Sequence, residues 1–160
     1  MTNTLPATRS YGTVSVDQQR EMTGLEFVLG LVNGTLPLNT MAKALFYDIV
    51  EAEEGRVVIV AKPSADHLNP AGTVHGGVAA TLLDSCMGLA IRTKLAKAVG
   101  STTLEFKISF LRPITPELGL IRAEGKVLMA GRRVGIAEAW LTGPDNKVLA
   151  HGTSTCLNFE

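Results

Sequence analysis

A chain of 160 residues is one domain's worth, long enough to bury a core without disulfides or a metal. Lysine and arginine balance aspartate and glutamate at fifteen each, which argues against nucleic acid or a membrane surface as the main partner. A local basic cluster remains free to meet a phosphorylated ligand. Residues 1–14 are small and polar and read as a flexible arm, leaving 15–160 as a single domain. The start of the chain has neither a basic segment nor a long apolar core, and no apolar run is long enough to span a bilayer, so neither a signal peptide nor a membrane partner is expected.

Ser15 and Gln18 have the spacing of a capping box. Met22, Leu25, Leu29 and Val32 follow at three- and four-residue intervals, with Val28 widening the face and Phe27 off it. This spacing predicts one amphipathic helix that ends at Asn33-Gly34. Thr40 is the expected cap of a short helical turn through Leu45. Residues 46–53 and 56–62 flank Glu54-Gly55 and read as a β-hairpin, the second strand apolar on both faces and therefore central. Residues 63–73 form a loop rich in Pro, Asn, Asp and Gly.

A long apolar helix is predicted from Gly76 to about Lys94. Val78, Leu82, Cys86 and Leu89 lie on one face, with Ala79, Leu83 and Ala90 beside them. A second stripe, Gly77, Thr81, Asp84 and Gly88, is small and polar. An interior glycine costs about 1 kcal/mol relative to alanine, so this stripe is expected to admit a ligand or another backbone; tight packing on a sheet is the competing explanation, but it leaves Asp84 unexplained. Four strands should follow. In the first, Thr102, Leu104, Phe106, Ile108 and Phe110 alternate with Thr103, Glu105, Lys107 and Ser109, which predicts one buried and one polar face. Strands at 120–129, 134–141 and 148–157 complete the set, joined by turns at 130–132 and 143–146. A single long apolar helix must be covered on most sides, and an antiparallel sheet curled around it does so. The expected fold is α+β, the hotdog layout, with an extra N-terminal helix.

The chemistry concentrates in Asn69-Pro-Ala-Gly-Thr-Val-His75-Gly76-Gly77 and Asp84. Glycines at a helix start leave backbone N–H groups open to an anion, and the helix dipole favours negative charge there. This suits an oxyanion hole. Asp84 lies nine positions after His75, about two and a half turns and roughly 12 Å along the axis from the helix mouth. One helix cannot easily bring both to the same carbonyl, whereas two antiparallel copies could each supply half a site. Cys86 and Cys156 sit outside any paired-ligand or redox motif and read as buried free thiols, which fits a reducing cytoplasm. His67, His75 and His151 lack metal-ligand spacing, so no metal and no separate cofactor is expected.

These residues resemble the hotdog-fold acyl-CoA thioesterases, and among them the phenylacetate-degradation (PaaI) type. The matching pieces are Asn69-Pro70, 72–77, Leu83-Asp84, Gly88, Ser109-Phe110-Leu111-Arg112-Pro113 and Gly131-Arg132-Arg133-Val134. The resemblance runs from about Gly24 to Leu157. It implies that Gly76 supplies the N–H that polarises a thioester carbonyl and that His75 helps hold the turn. Asp84, from the facing subunit, is implied as general base or nucleophile. Asn69 is implied to position water or substrate, and a hydroxyl from Thr103, or from Thr102, to assist the acid. The stripe of Gly77, Thr81 and Gly88 suggests room for a ring or a medium chain, and the resemblance implies that Arg132 and Arg133, with Arg112 and Lys126 as further candidates, meet the phosphates of coenzyme A. The implied substrate is an acyl- or aryl-CoA, and the implied assembly a homodimer or homotetramer.

Plainer roles stand beside these. Asp84 could be an acid accepting from a nearby N–H, His75 purely structural, Asn69 a turn residue, and the two arginines solvated charge. A non-catalytic acyl-CoA-binding module and a hydratase or dehydratase are the competing functions. The first has no need of an acid beside the thioester, and the second pairs its histidine and acid differently.

Overall fold

The computed structural model describes residues 9–160. Its helices are α1 (Val16–Arg20), α2 (Gly24–Asn33), α3 (Thr40–Ala44) and α4 (Gly76–Arg92). Its strands are β1 (Tyr47–Glu53), β2 (Arg56–Ala61), β3 (Gly100–Phe110), β4 (Ile121–Ala130), β5 (Val134–Thr142) and β6 (Val148–Phe159). The strands form one antiparallel sheet in the order β1-β2-β4-β5-β6-β3. α4 packs against β2, β3, β4, β5 and β6, so the sheet curls around it as the hotdog layout requires. Val78, Leu82, Leu83, Cys86, Met87 and Ile91 of α4 are buried with Ile59, Ile121, Ala137, Leu141 and Ala150 of the sheet in one core.

Several expectations need correction. The single helix predicted from Ser15 to Asn33 is two. Ser15 caps α1 through the Gln18 N–H, but Thr23 opens a second helix with its own capping box, the Thr23 hydroxyl accepting from Glu26 N–H and the Glu26 carboxylate from Thr23 N–H. A bend is needed because Gly24 presses on the end of α4. Its N–H donates to Leu95 O at 2.9 Å, and a Cβ there would lie 1.6 Å from Arg92 O. The buried face of α2 is then Gly24, Phe27, Val28 and Leu31, so Phe27 belongs to the core. α2 does end at Gly34, with φ of 76°. The cap of α3 is Asn39 rather than Thr40.

The alternation of β3 is also not what it seemed. Leu104, Phe106 and Phe110 are 58%, 43% and 59% exposed, because β3 is an edge strand. The apolar face predicted to be buried is largely uncovered in the single chain. The register also shifts between Thr103 and Glu105, a bulge at Leu104.

The segment from Arg9 to Val14 is not a loose arm; the rest of the expected arm, 1–8, lies outside the described residues. Gly12 N–H donates to Leu38 O at 2.8 Å. The Arg9 guanidinium grips Asp48 with two bonds, Nε to Oδ2 at 2.9 Å and Nη2 to Oδ1 at 2.7 Å. It also caps the last carbonyls of α2, at Leu31 and Val32. Both members of this pair are buried, so losing one strands the other's charge. Arg9→Ala is expected to destabilise the protein by about 3 kcal/mol or more, read as a lower urea midpoint. Adding Asp48→Asn should recover part of the loss; no recovery would mean that Arg9 acts through packing alone.

Candidate active site

α4 starts where the 69–73 turn is pinned. Asn69 Oδ1 accepts from Ala71 and Thr73 N–H at 2.9 and 3.2 Å, and its Nδ2 donates to Thr73 Oγ1 at 2.9 Å. The Asn69 amide is thus largely spent on holding the turn. His75 is the N-cap of α4, its Nδ1 accepting from Gly77 N–H at 2.8 Å. This removes Gly77 N–H from any anion site, whereas Gly76 N–H has no partner among the described residues. Phe110, at the end of β3, stands over this mouth, and a Cβ on Gly76 would come 3.2 Å from its ring.

Two turns further along, β3 meets α4 again. Thr103 Oγ1 donates to Asp84 Oδ1 at 2.9 Å, and the thiol of Cys156 is 3.9 Å from the same hydroxyl. Thr103 therefore reaches the acid, and the exposed Thr102 does not. Asp84 borders a cavity of about 380 Å³ together with Gly88, Leu89 and Arg92 of α4, Thr103, Cys156, and Phe27 and Leu31 of α2. That volume lies in the range of small-molecule sites. Burial pushes the Cys156 thiol up from its ordinary value, hydrogen bonds with Thr103 and Ser154 take back part of this, and the Asp84 charge adds a smaller push upward. The thiol stays protonated and adds no charge to this wall.

The remaining expected residues are spread out. Gly77 and Thr81 do not border this cavity; Thr81 Oγ1 donates back to Gly77 O at 2.9 Å. Arg112 is exposed near the mouth of α4 and donates to Val148 O. Arg132 and Arg133 are exposed on the β4–β5 turn, beyond the other end of α4, where Gly135 abuts Ile91. Lys126 pairs with Glu124 at 3.1 Å. His67 is structural: its Nδ1 accepts from Ser64 N–H and its Nε2 lies 3.1 Å from Ala44 O. His151 lies against Trp140. Among the described residues no three His, Cys, Asp or Glu side chains gather as a metal-binding group, and no helix is long and apolar enough to cross a membrane.

The model of the thioesterase superfamily matches residues 71–150, from the turn before His75 into β6. The chain belongs to the thioesterase superfamily. A relative from Halobacterium salinarum is 38% identical over 88 residues, which are 54% of this chain and 56% of that protein. Acyl-coenzyme A thioesterase 13 of Homo sapiens is 30% identical over 109 residues, 67% of this chain and 76% of its own. Among solved structures, a phenylacetic acid degradation-related protein of Ralstonia eutropha superposes with a TM-score of 0.74 at 27% identity, covering 82% of this chain and 98% of that one. The PaaI-type hotdog resemblance read from the sequence is therefore shown.

Sequence reasoning did not single out the residues that close the cavity from the N-terminal side, or Arg92. One signal was present: Arg92 continues the stripe of Asp84 and Gly88 by another four residues.

The mouth geometry gives a test. Phe110 is exposed enough to swing away from a methyl group, so Gly76→Ala should leave the melting temperature nearly unchanged. If Gly76 N–H faces a developing oxyanion, the same change should cut kcat by roughly ten- to a thousandfold. A protein that melts early but turns over normally per folded molecule would assign Gly76 to structure alone.

Proposed function

We propose that this protein hydrolyses acyl- or aryl-CoA thioesters to the free acid and coenzyme A. The observation that carries this reading is the Asp84 carboxylate, held by Thr103 on the wall of a cavity, both residues lying in the segment that matches the superfamily. Asp84 takes a proton from water as the water oxygen attacks the thioester carbonyl; alternatively it attacks the carbonyl itself and the mixed anhydride is then hydrolysed. Gly76 N–H stabilises the oxyanion, and collapse of the tetrahedral intermediate expels the thiolate, a good leaving group that needs little further help. His75 keeps the Gly76 turn in shape, and Asn69 keeps the loop before it.

The two halves belong to different subunits in this reading. Gly76 and Asp84 are eight residues apart on α4, about 12 Å along the axis. β3 runs antiparallel to α4, with Thr103 at Asp84 and Phe110 at Gly76, and its outer edge is unpaired among the described residues. Antiparallel pairing of two β3 strands about a two-fold axis sets the Thr103 end of each against the Phe110 end of the other. The acid of one copy then approaches the helix mouth of its partner. Exposed Leu104, Phe106, Phe110 and Leu111 support such contact, and a homodimer is the minimal unit, with a homotetramer as the larger alternative. Arg132 and Arg133 of one copy and Arg112 of the other then flank the same site, suited to the phosphates of coenzyme A. The name of the human relative supports coenzyme A esters as the substrate class.

The direct experiment is a panel of acyl- and aryl-CoA thioesters assayed for released thiol. Asp84→Asn and Asp84→Ala should each lower kcat by at least about a hundredfold; near-normal turnover by a folded variant would remove Asp84 from the chemistry. Sharing of the site has its own measurement. Asp84→Asn and Gly76→Ala proteins, each strongly impaired alone, should rise to about a quarter of wild-type activity after subunit exchange in equal amounts, because half the dimers are hybrids with one intact site. Exchange that is complete by mass yet restores nothing would show that each chain carries its own site.

A further inference from the structure

Among the described residues that border the cavity beside Asp84, Arg92 is the only cation. It is the last residue of α4, eight positions and about 12 Å along the axis from Asp84, and helix side chains lean back toward the N-terminus, here toward Gly88. Among the described residues nothing occupies the space above Gly88: a Cβ built there meets no atom of theirs within 4 Å. The stripe Asp84, Gly88, Arg92 is thus an acid at one end, an open floor in the middle and a guanidinium at the other end.

The guanidinium is only partly satisfied. Its Nη2 donates to Gln19 Oε1 at 3.0 Å, and its carbon stands 3.9 Å above the Phe27 ring centroid. Nε, however, is buried with no hydrogen-bond partner among the described residues, and no carboxylate pairs with Arg92 among them. Burial alone pushes its pKa down from the ordinary arginine value. Nη1 also makes no hydrogen bond among the described residues, and unlike Nε it is not fully buried, so it is the donor open to an arriving acceptor, and a charged donor gains by meeting one. A guanidinium offers planar, charge-assisted hydrogen bonds matched to a carboxylate.

We infer that the cavity takes an acyl group whose far end is a carboxylate bound by Arg92, so that the substrates are thioesters of dicarboxylic acids. This rests on the thioesterase reading above and names its substrate class. The thioester carbon sits at Asp84, the methylenes lie over Gly88, and the distal carboxylate meets the guanidinium beside Phe27 and Gln19. Arg92 touches substrate but not the reacting atoms, so it sets specificity and leaves the chemical step to Asp84.

The test compares succinyl-, glutaryl-, adipoyl- and suberoyl-coenzyme A, each with the unsubstituted alkanoyl thioester of the same carbon count. In the wild-type protein the best dicarboxylic member should exceed its alkanoyl partner in kcat/KM by about tenfold or more, the scale of a hydrogen bond to a charged group. Arg92→Gln should lower the dicarboxylic value about 10- to 100-fold and leave the alkanoyl value within a few-fold. Arg92→Lys, which keeps a charge over Phe27, should fall between. The wild-type comparison needs no variant, so it decides the matter even if Arg92→Gln does not fold. Alkanoyl thioesters cleaved as well as dicarboxylic ones at every length would overturn the assignment while leaving the thioesterase reading intact. Equal losses on both substrate types in Arg92→Gln would likewise make Arg92 a structural residue. A wild-type protein that cleaves no thioester at all would overturn the thioesterase reading and this assignment with it.

Discussion

The seating of α4 on the sheet at Gly125 sets the position of everything that carries chemistry. A Cβ on Gly125 would lie 2.7 Å from Cys86 O, so helix and strand backbones touch there, and only glycine permits it. The Cys86 thiol on the same face reaches Val57 O at 3.1 Å, with Ala123 O at 3.5 Å. Successive helix residues are about 100° apart. With Cys86 turned to the sheet, Asp84 two residues earlier is carried to about the opposite side, away from β2 and β4. The acid is half-buried for this reason: the contact that buries one face of α4 turns Asp84, Gly88 and Arg92 toward the ground left to α2, the 12–14 segment and the start of β3.

The bulge at Leu104 is the second local event on which the site depends. Strict alternation puts Thr103 on the same face as Glu105, Lys107 and Ser109, away from Ile108, which packs on the core. Because Thr103 pairs with Cys156 while Glu105 pairs with the adjacent Thr155, Leu104 is extra, and the face of Thr103 is inverted relative to strict alternation. Its hydroxyl then points at Asp84. A period-two pattern cannot announce a bulge, since the residues on either side keep their own alternation. Reading the strand from the sequence therefore gives nearly its full extent but the wrong face for Thr103. The resemblance to a family, not the periodicity, selected Thr103.

Much else was legible because it is local. The hairpin at Glu54-Gly55, the start of α4 at the glycines and the turns before β5 and β6 follow from turn residues and runs of apolar side chains whose effect does not depend on distant contacts. The N-terminal part was misread because its structure is set by tertiary contact. Leu25 and Leu29 keep a respectable helical spacing, but Gly24 must lie flat against Arg92 O, and this rotates α2 until Phe27, Val28 and Leu31 face inward. Arg9 looked like a charge in a polar arm; its partner Asp48 is 39 residues away, and no pattern near Arg9 reveals it. Arg92 was hidden differently. It completes a stripe already recognised as unusual, yet a basic residue in the last turn of a helix has an ordinary explanation in the helix dipole.

The groups around Asp84 bear on the role proposed for it. Thr103 has one hydroxyl proton, and it is given to Asp84. Its contact with Cys156 at 3.9 Å therefore runs the other way, from thiol to hydroxyl oxygen. The result is a short chain, S–H to O–H to carboxylate, in which each donor polarises the next. Such a chain stabilises a charge at its end, and the thiol itself is pushed up from its ordinary value chiefly by burial. A nucleophilic cysteine needs the opposite surroundings, a cation or helix N-terminus beside it and some access to solvent. Here the neighbour is an anion, and the residue is buried. The wall thus concentrates its reactivity in one carboxylate oxygen: Oδ1 is taken by Thr103, and Oδ2 accepts no hydrogen bond among the described residues. In the proposed reaction it is this oxygen that meets the water or the thioester carbon.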